Sequence, residues 1–193
     1  MKIGACGMLL STLVRETTIL VPVQTPLGKT AETVFGMAQA YADDGTTFFN
    51  EGDQVNALAA CWYGFGWLHF GWASGFATPP RDDRALCPFD GICEKLPHRL
   101  MPGLEEKTGR YAHLLDTARA SVACAPEPAT PGHDFAGRVL VIVACYNTRG
   151  QTCMKKGLHE DALASFSYGH GWLDAGVRAG YLWITGRREI FTV

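Results

Sequence analysis

The sequence predicts an all-α protein made of two tandem up-and-down three-helix bundles, packed as a pseudo-two-fold pair. Three observations carry this. A shift of 105 residues aligns 2–76 with 107–181 without a gap and gives 23 identities in 75 positions, where chance at ordinary composition gives about five. Apolar and small residues recur at three- and four-residue spacing in both copies. Prolines, glycines and N-cap residues also fall at matching places. So long a period marks a duplicated domain, not a solenoid. The expected domains are a first bundle over 1–78, a linker over 79–102 and a second bundle over 103–193.

The first helix of each copy is expected over about 2–18 and 104–122. "MKIGACGMLLSTLV" opens like a short signal peptide, with Lys2 before an apolar run. The repeat favours an amphipathic helix instead. A proline-containing loop follows, "LVPVQTP" or "APEPATP". Each loop ends in an N-cap threonine and a proline suited to the first helical position, Thr25–Pro26 and Thr130–Pro131.

The second helix presents Ala31, Val34, Ala38, Tyr41, Gly45 and Phe48. Its copy presents Ala136, Val139, Val143, Tyr146, Gly150 and Cys153. This is the seam of a bundled helix. Gly52 and Gly157 suit its C-terminus, and Asp53 can cap the third helix directly. The run "RVLVIVACY" looks strand-like, but its ungapped match to "TVFGMAQAY" argues for helix. The proline- and charge-rich "PPRDDRALCPFDGICEKLPHRLMPG" between the copies is expected to be a linker.

The third helix is expected over about 54–77 and 159–185. Gln54 to Pro80 contains no Lys, Arg, Asp or Glu, so a membrane span must be weighed. The second copy places His170, Asp174 and Arg178 where the first has Phe65, His69 and Ala73, which a lipid-facing helix tolerates poorly. A helix covered by protein on most sides is the better account. Gly64, Gly71 and Gly75, repeated as Gly169, Gly176 and Gly180, share one helical face. Glycine costs up to about 1 kcal/mol in a helix interior, so a close helix contact is expected there, between the two third helices.

Hydrophobic residues make up 47% and charged residues 19% of the chain, a globular composition with net charge −2. No basic excess points to nucleic acid, and no single-sign field points to a membrane surface. Seven cysteines at irregular spacing, most within apolar helical runs, suggest a reducing cytoplasm.

"YADDGTTFFNEGDQVNALAACWYGFGWLHFG" and "YNTRGQTCMKKGLHEDALASFSYGHGWLDAG" resemble an archaeal family of small three-helix proteins known as a domain of unknown function. The family pattern runs from Tyr, Asp and Phe through Gly-Asp and Ala-Leu-Ala to Gly-Trp-Leu-Asp-Ala-Gly. The first copy keeps Tyr41, Asp44, Phe48, Gly52, Asp53, Tyr63, Gly66, Trp67 and Leu68, with His69 in place of the pattern's Asp. The second keeps Tyr168, Gly171, Trp172, Leu173, Asp174, Ala175 and Gly176 and lacks Gly-Asp. The resemblance implies a three-helix bundle and no established activity.

Tyr63, Trp67, Tyr168 and Trp172 recur in both halves and are either core or a paired binding site, with Asp174 beside them. Trp62 and Trp72 complete an aromatic cluster able to stack a planar ligand, although helical spacing favours core. Asp44 belongs to an acidic group with Asp43, Glu51 and Asp53. Its counterparts Arg149 and Lys156 argue against a metal site and raise the idea that the two faces pair. Cys87 and Cys93, near His98, lack standard zinc spacing. No catalytic set, metal site or cofactor is assigned.

The reading is a non-catalytic helical scaffold or binding protein, a fused pseudo-dimer held by intramolecular pairing of its halves. It leaves a homodimer or a protein partner open, without nucleic acid or membrane. One alternative is an all-α enzyme, or a small-molecule or metal-binding protein, using the acidic residues of the first copy. A second is a helical-repeat adaptor, because "GDQVNALAACWYG" echoes a tetratricopeptide helix.

Overall fold

The computed structural model describes residues 2–80 and 94–192. Its helices are α1 (Ile3–Glu16), α2 (Pro26–Asn50), α3 (Gln54–Ala73), α4 (Met101–Arg119), α5 (Pro131–Lys155) and α6 (His159–Arg178). Helices α2 and α5, like α3 and α6, are offset by 105 residues at both ends, so the sequence repeat is a structural repeat. The shared caps explain the match. The Gly28 N–H donates to Thr25 Oγ1 at 3.0 Å, and the His133 N–H donates to Thr130 Oγ1 at 3.1 Å. Gly52 and Gly157 take φ values of +86° and +70°, which glycine adopts at little cost, and so close α2 and α5. The Asn56 N–H donates to Asp53 Oδ1 at 3.0 Å and starts α3 at once.

The third helix of each half is shorter than its hydrophobicity predicts. Gly75 and Gly180 have φ of +78° and +77°. The Phe76 and Tyr181 N–H groups bond back to the carbonyls of Gly71 and Gly176, a Schellman closure. These two glycines are therefore stop signals. The freed chain forms a short strand in each half: β1 (Thr18–Ile19) pairs antiparallel with β2 (Ala77–Thr78), and β3 (Val122–Cys124) with β4 (Leu182–Ile184). Ladders of two or three residues are too short for alternation to show in the sequence.

The second unit begins inside the expected linker, since a 3-10 turn at His98–Leu100 leads directly into α4. The approach to it is tied down. The Ile3 N–H donates to the Glu94 carboxylate at 2.7 Å. Buried Glu160 accepts from the Leu96 N–H and from Lys95 Nζ, both at 3.0 Å. Cys87 and Cys93 lie outside the described residues.

Each half packs its three helices on one another, and the halves meet along α3 and α6. Helix α3 is thus covered by α1 and α2 on one side and α6 on the other, and Leu58, Trp62, Phe65, Trp67, Leu68 and Phe70 are almost wholly buried. That cover accounts for the uncharged run. Full burial of a large apolar side chain contributes about 1.5–3 kcal/mol, and a unit of about 75 residues is marginal by itself, so the shared face is part of the core. Among the described residues no helix is long and apolar enough to cross a membrane.

The helices cross at Gly66 and Gly171, which are equivalent in the repeat. A Cβ on Gly66 would meet the Tyr168 carbonyl oxygen at 2.5 Å and Gly171 Cα at 2.8 Å. A Cβ on Gly171 would meet the equivalent atoms, the Tyr63 carbonyl oxygen and Gly66 Cα. This reciprocity places the pseudo-two-fold axis between them.

Candidate functional site

One turn from the crossing, two polar contacts bridge the halves. The Tyr63 hydroxyl donates to Asp174 Oδ2, and the Thr192 N–H donates to the same oxygen at 3.1 Å. Across the axis, His69 Nδ1 lies 2.8 Å from the Tyr168 hydroxyl. The shift of 105 converts Tyr63 into Tyr168 and His69 into Asp174, so these contacts are one contact made twice with different chemistry. Each tyrosine also packs on a tyrosine from the second helix of its half. The centroids are 4.5 Å apart for Tyr41–Tyr63 and 4.3 Å for Tyr146–Tyr168.

The Asp174 side of this junction is electrostatically expensive. Asp174 is 1% exposed, and its Oδ1 has no hydrogen-bond partner among the described residues. Burial pushes its carboxyl pKa up, while the bond from Tyr63 pulls it down. Burial first, and then the Asp174 charge, raise the Tyr63 phenol and push Tyr41 up to about 12.

Next to this pair lies a cavity of about 240 Å³ lined by Tyr63, Lys107, Arg110, Tyr111, His170 and Thr192, with Leu114 and Ile190 completing the wall. His170 is 5% exposed. Its ring stacks on Tyr63 at 6.2 Å and meets Tyr111 edge-on at 5.9 Å. Burial lowers its pKa to about 4, so the imidazole is neutral near pH 7. Its Nε2 has no hydrogen-bond partner among the described residues. Lys107 Nζ donates to Asn56 Oδ1 and sits 5.3 Å from the centre of the Tyr111 ring. Two further cavities adjoin, one of about 260 Å³ beside Tyr41, Asp44 and Asn56, the other of about 310 Å³ beside Asp53, Arg99 and Lys107.

The equivalent positions across the axis are filled differently. Lys2, Ala5, Cys6, Leu9 and Phe65 stand where the cavity side has Lys107, Arg110, Tyr111, Leu114 and His170. Cys6 is 1% and Phe65 0% exposed.

Of the residues singled out in the sequence, Tyr63 and Asp174 come together at the cavity, and Tyr168 meets His69. Asp44 is exposed and borders the adjoining cavity. Trp67 and Trp172 are buried in the core, and Trp72 donates its indole N–H to Thr17. Gly64, Gly71, Gly169 and Gly176 are close-packing positions, but against their own bundles. Gly64 faces Leu10 and Tyr41, Gly71 faces Phe35, Gly169 faces Leu115, and Gly176 faces Leu182 and Val139. The contact between halves belongs to Gly66 and Gly171, which are identical in the alignment and were legible there. His170 stands out in the sequence only as a mark against a membrane span, and Lys107, Tyr111 and Thr192 do not stand out, because the four come from three separate segments.

Two copies of a helical unit joined on a glycine crossing, with a polar cavity beside the join, define a tandem helical pseudo-dimer. The sequence profile of the family described as "Protein of unknown function (DUF357)" matches residues 8–77 and again 110–182. The chain belongs to that family and carries its domain twice. No curated protein and no solved structure matches the chain.

Proposed function

We propose that this protein is a non-catalytic binding protein, a fused pseudo-dimer whose fusion allowed one side of the junction to become a ligand site. The observation that carries the reading is the inequality across the axis. Tyr63, Tyr111 and His170 line a cavity, while their counterparts Tyr168, Cys6 and Phe65 are buried in the core. A homodimer would have to make both sides alike. A buried imidazole nitrogen that has no partner among the described residues, beside a cavity, is a costly feature for a scaffold alone.

The alternative built on acidic residues of the first copy draws less support. Asp53 is committed to capping α3, and Asp43 accepts from Gln39 at 2.8 Å. The adaptor reading expects stacked helix pairs, whereas each half here is a three-helix unit. A cytoplasmic, reducing location is part of the proposal; the buried thiols of Cys6 and Cys61 are free. The test is native mass spectrometry of the full chain purified gently. A co-purifying small molecule that disappears in His170→Phe supports the reading. A bare wild-type protein that also binds nothing in a metabolite screen overturns it.

A further inference from the structure

We infer that the junction cavity takes a small planar anion: a single aromatic ring bearing one carboxylate or phosphate and an N–H or O–H group. This rests on the reading of the cavity as a binding site.

The charge comes from Lys107 and Arg110. Lys107 is partly buried, and among the described residues no carboxylate lies within ion-pair distance of its Nζ. Arg110 pairs with exposed Glu106 at 3.5 Å, yet it borders the same cavity; among the described residues no carboxylate lines that cavity, and Asp174 lies behind the lining residues Tyr63 and Thr192, bonded to both. Burial, followed by the charge of Arg110, lowers the Lys107 pKa. A bound anion relieves that repulsion and is attracted more strongly here than in open water.

Shape and polarity come from the walls. The rings of Tyr63, Tyr111 and His170, with Leu114 and Ile190, offer flat apolar surface suited to stacking. The neutral His170 ring carries one donor and one acceptor nitrogen, and its Nε2 has no hydrogen-bond partner among the described residues. A ligand N–H or O–H completes it. At about 30 Å³ per water, a cavity of about 240 Å³ corresponds to about eight waters. That room suits one substituted ring. The counterparts Ala5, Cys6 and Phe65 supply neither the second cation nor the acceptor, so the site occurs once per chain.

The test is calorimetric titration of the full-length protein with 4-hydroxybenzoate, 4-hydroxyphenyl phosphate, inorganic phosphate, cyclohexanecarboxylate and benzylamine. One of the first two is expected to bind 1:1, at least tenfold tighter than the last three. Which of the two binds tighter separates the carboxylate source from the phosphate source. Lys107→Met and His170→Phe should each weaken binding at least tenfold. Lys107 is partly exposed, so its variant tests the site even if His170→Phe fails to fold. Inorganic phosphate or cyclohexanecarboxylate binding as tightly as the ring-bearing anions would overturn the planar class. Preference for benzylamine, lost in His170→Phe, would overturn the anion while sparing the binding reading. Binding unchanged in both variants, or at two sites per chain, would overturn the site. No binding of any probe would overturn the inference, and a bare protein in native mass spectrometry would then take the binding reading with it.

Discussion

The two sides of the junction started from one pattern and now solve one packing problem in opposite ways. On one side Tyr168 meets His69, Phe65 packs beside His69, and Cys6 and Phe65 are buried. On the other Tyr63 meets Asp174, with Tyr111 and His170 bordering a cavity. Fusion makes this possible, because a single substitution in a gene for a symmetric dimer changes both sides at once. What both sides keep is the geometry that brings α3 against α6: the glycine crossing and the paired tyrosines. What they have lost is equality of charge. The second side bears a buried carboxylate, Asp174, where the first has His69, and burying that charge costs stability.

The sharpest way to break the comparison is to break what the sides share. Gly66→Leu or Gly171→Leu drives a side chain into backbone atoms that cannot rotate away, and we expect a loss of about 3 kcal/mol or more in chemical denaturation. Gly71→Ala and Gly176→Ala should cost less, about 1–2 kcal/mol, because they meet the movable side chains of Phe35 and Leu182. Equal losses at all four positions would mean that the crossing is not tighter than the bundle interiors.

The second test converts one side towards the other. His170 has its pKa lowered from 6.5 to about 4. Between those values the unfolded chain binds a proton that the folded chain refuses. Its stabilising contribution is therefore complete above pH 6.5 and is lost as pH falls to about 4, a difference of about 3 kcal/mol. Asp174 acts in the opposite sense: with its carboxyl raised by burial, it favours the folded state more as pH falls towards its ordinary range. His170→Phe, which installs the residue of the first half, should remove the acid-side loss in melts recorded from pH 7 to 4. An unchanged pH profile would show that another group carries the acid sensitivity.

The tyrosines allow a finer comparison. Tyr63→Phe leaves Asp174 buried with the Thr192 N–H as its remaining hydrogen bond among the described residues, and should cost about 2 kcal/mol near pH 7 and less in acid. Tyr168→Phe removes a bond to an imidazole and should cost about 1 kcal/mol. Equal losses with the same pH dependence would mean that the carboxylate does not distinguish the two sides.

Much of the architecture was legible because it is local and stated twice. Thr25–Pro26 and Thr130–Pro131 announce a helix start, and the repeat register carries each boundary from one half to the other. Helix α3 was overextended because Gly75 sits in an apolar run, where only its positive φ shows that it ends the helix. The site was less legible. Tyr63 and Asp174 stood out as family positions, but Lys107, Tyr111, His170 and Thr192 converge through the packing of α4 and the C-terminal segment on α3 and α6. No spacing within one segment encodes that convergence. The glycine faces erred for a related reason: a helix covered on all sides needs small residues towards several neighbours, and spacing alone does not say which glycine meets which.

The smallest expected effect concerns the charges outside the junction. Over 41–53 the first half carries Asp43, Asp44, Glu51 and Asp53, while over 146–158 the second carries Arg149, Lys155 and Lys156. In repeat register Asp44 matches Arg149, which suggests that fusion selected opposite charges to hold the halves together. The fold argues otherwise. The halves meet through α3 and α6, with α2 and α5 packed behind them in their own bundles. Asp44 is directed to the groove beside Tyr41, Phe48 and Asn56, and the ion pairs formed among the described residues do not join it to Arg149. Even adjacent exposed pairs contribute only about 0–1 kcal/mol. A double-mutant cycle of Asp44→Arg and Arg149→Asp at low salt should therefore give a coupling below about 0.3 kcal/mol. A favourable coupling near 1 kcal/mol would put the two faces in contact in solution and extend the asymmetry of the halves beyond the cavity.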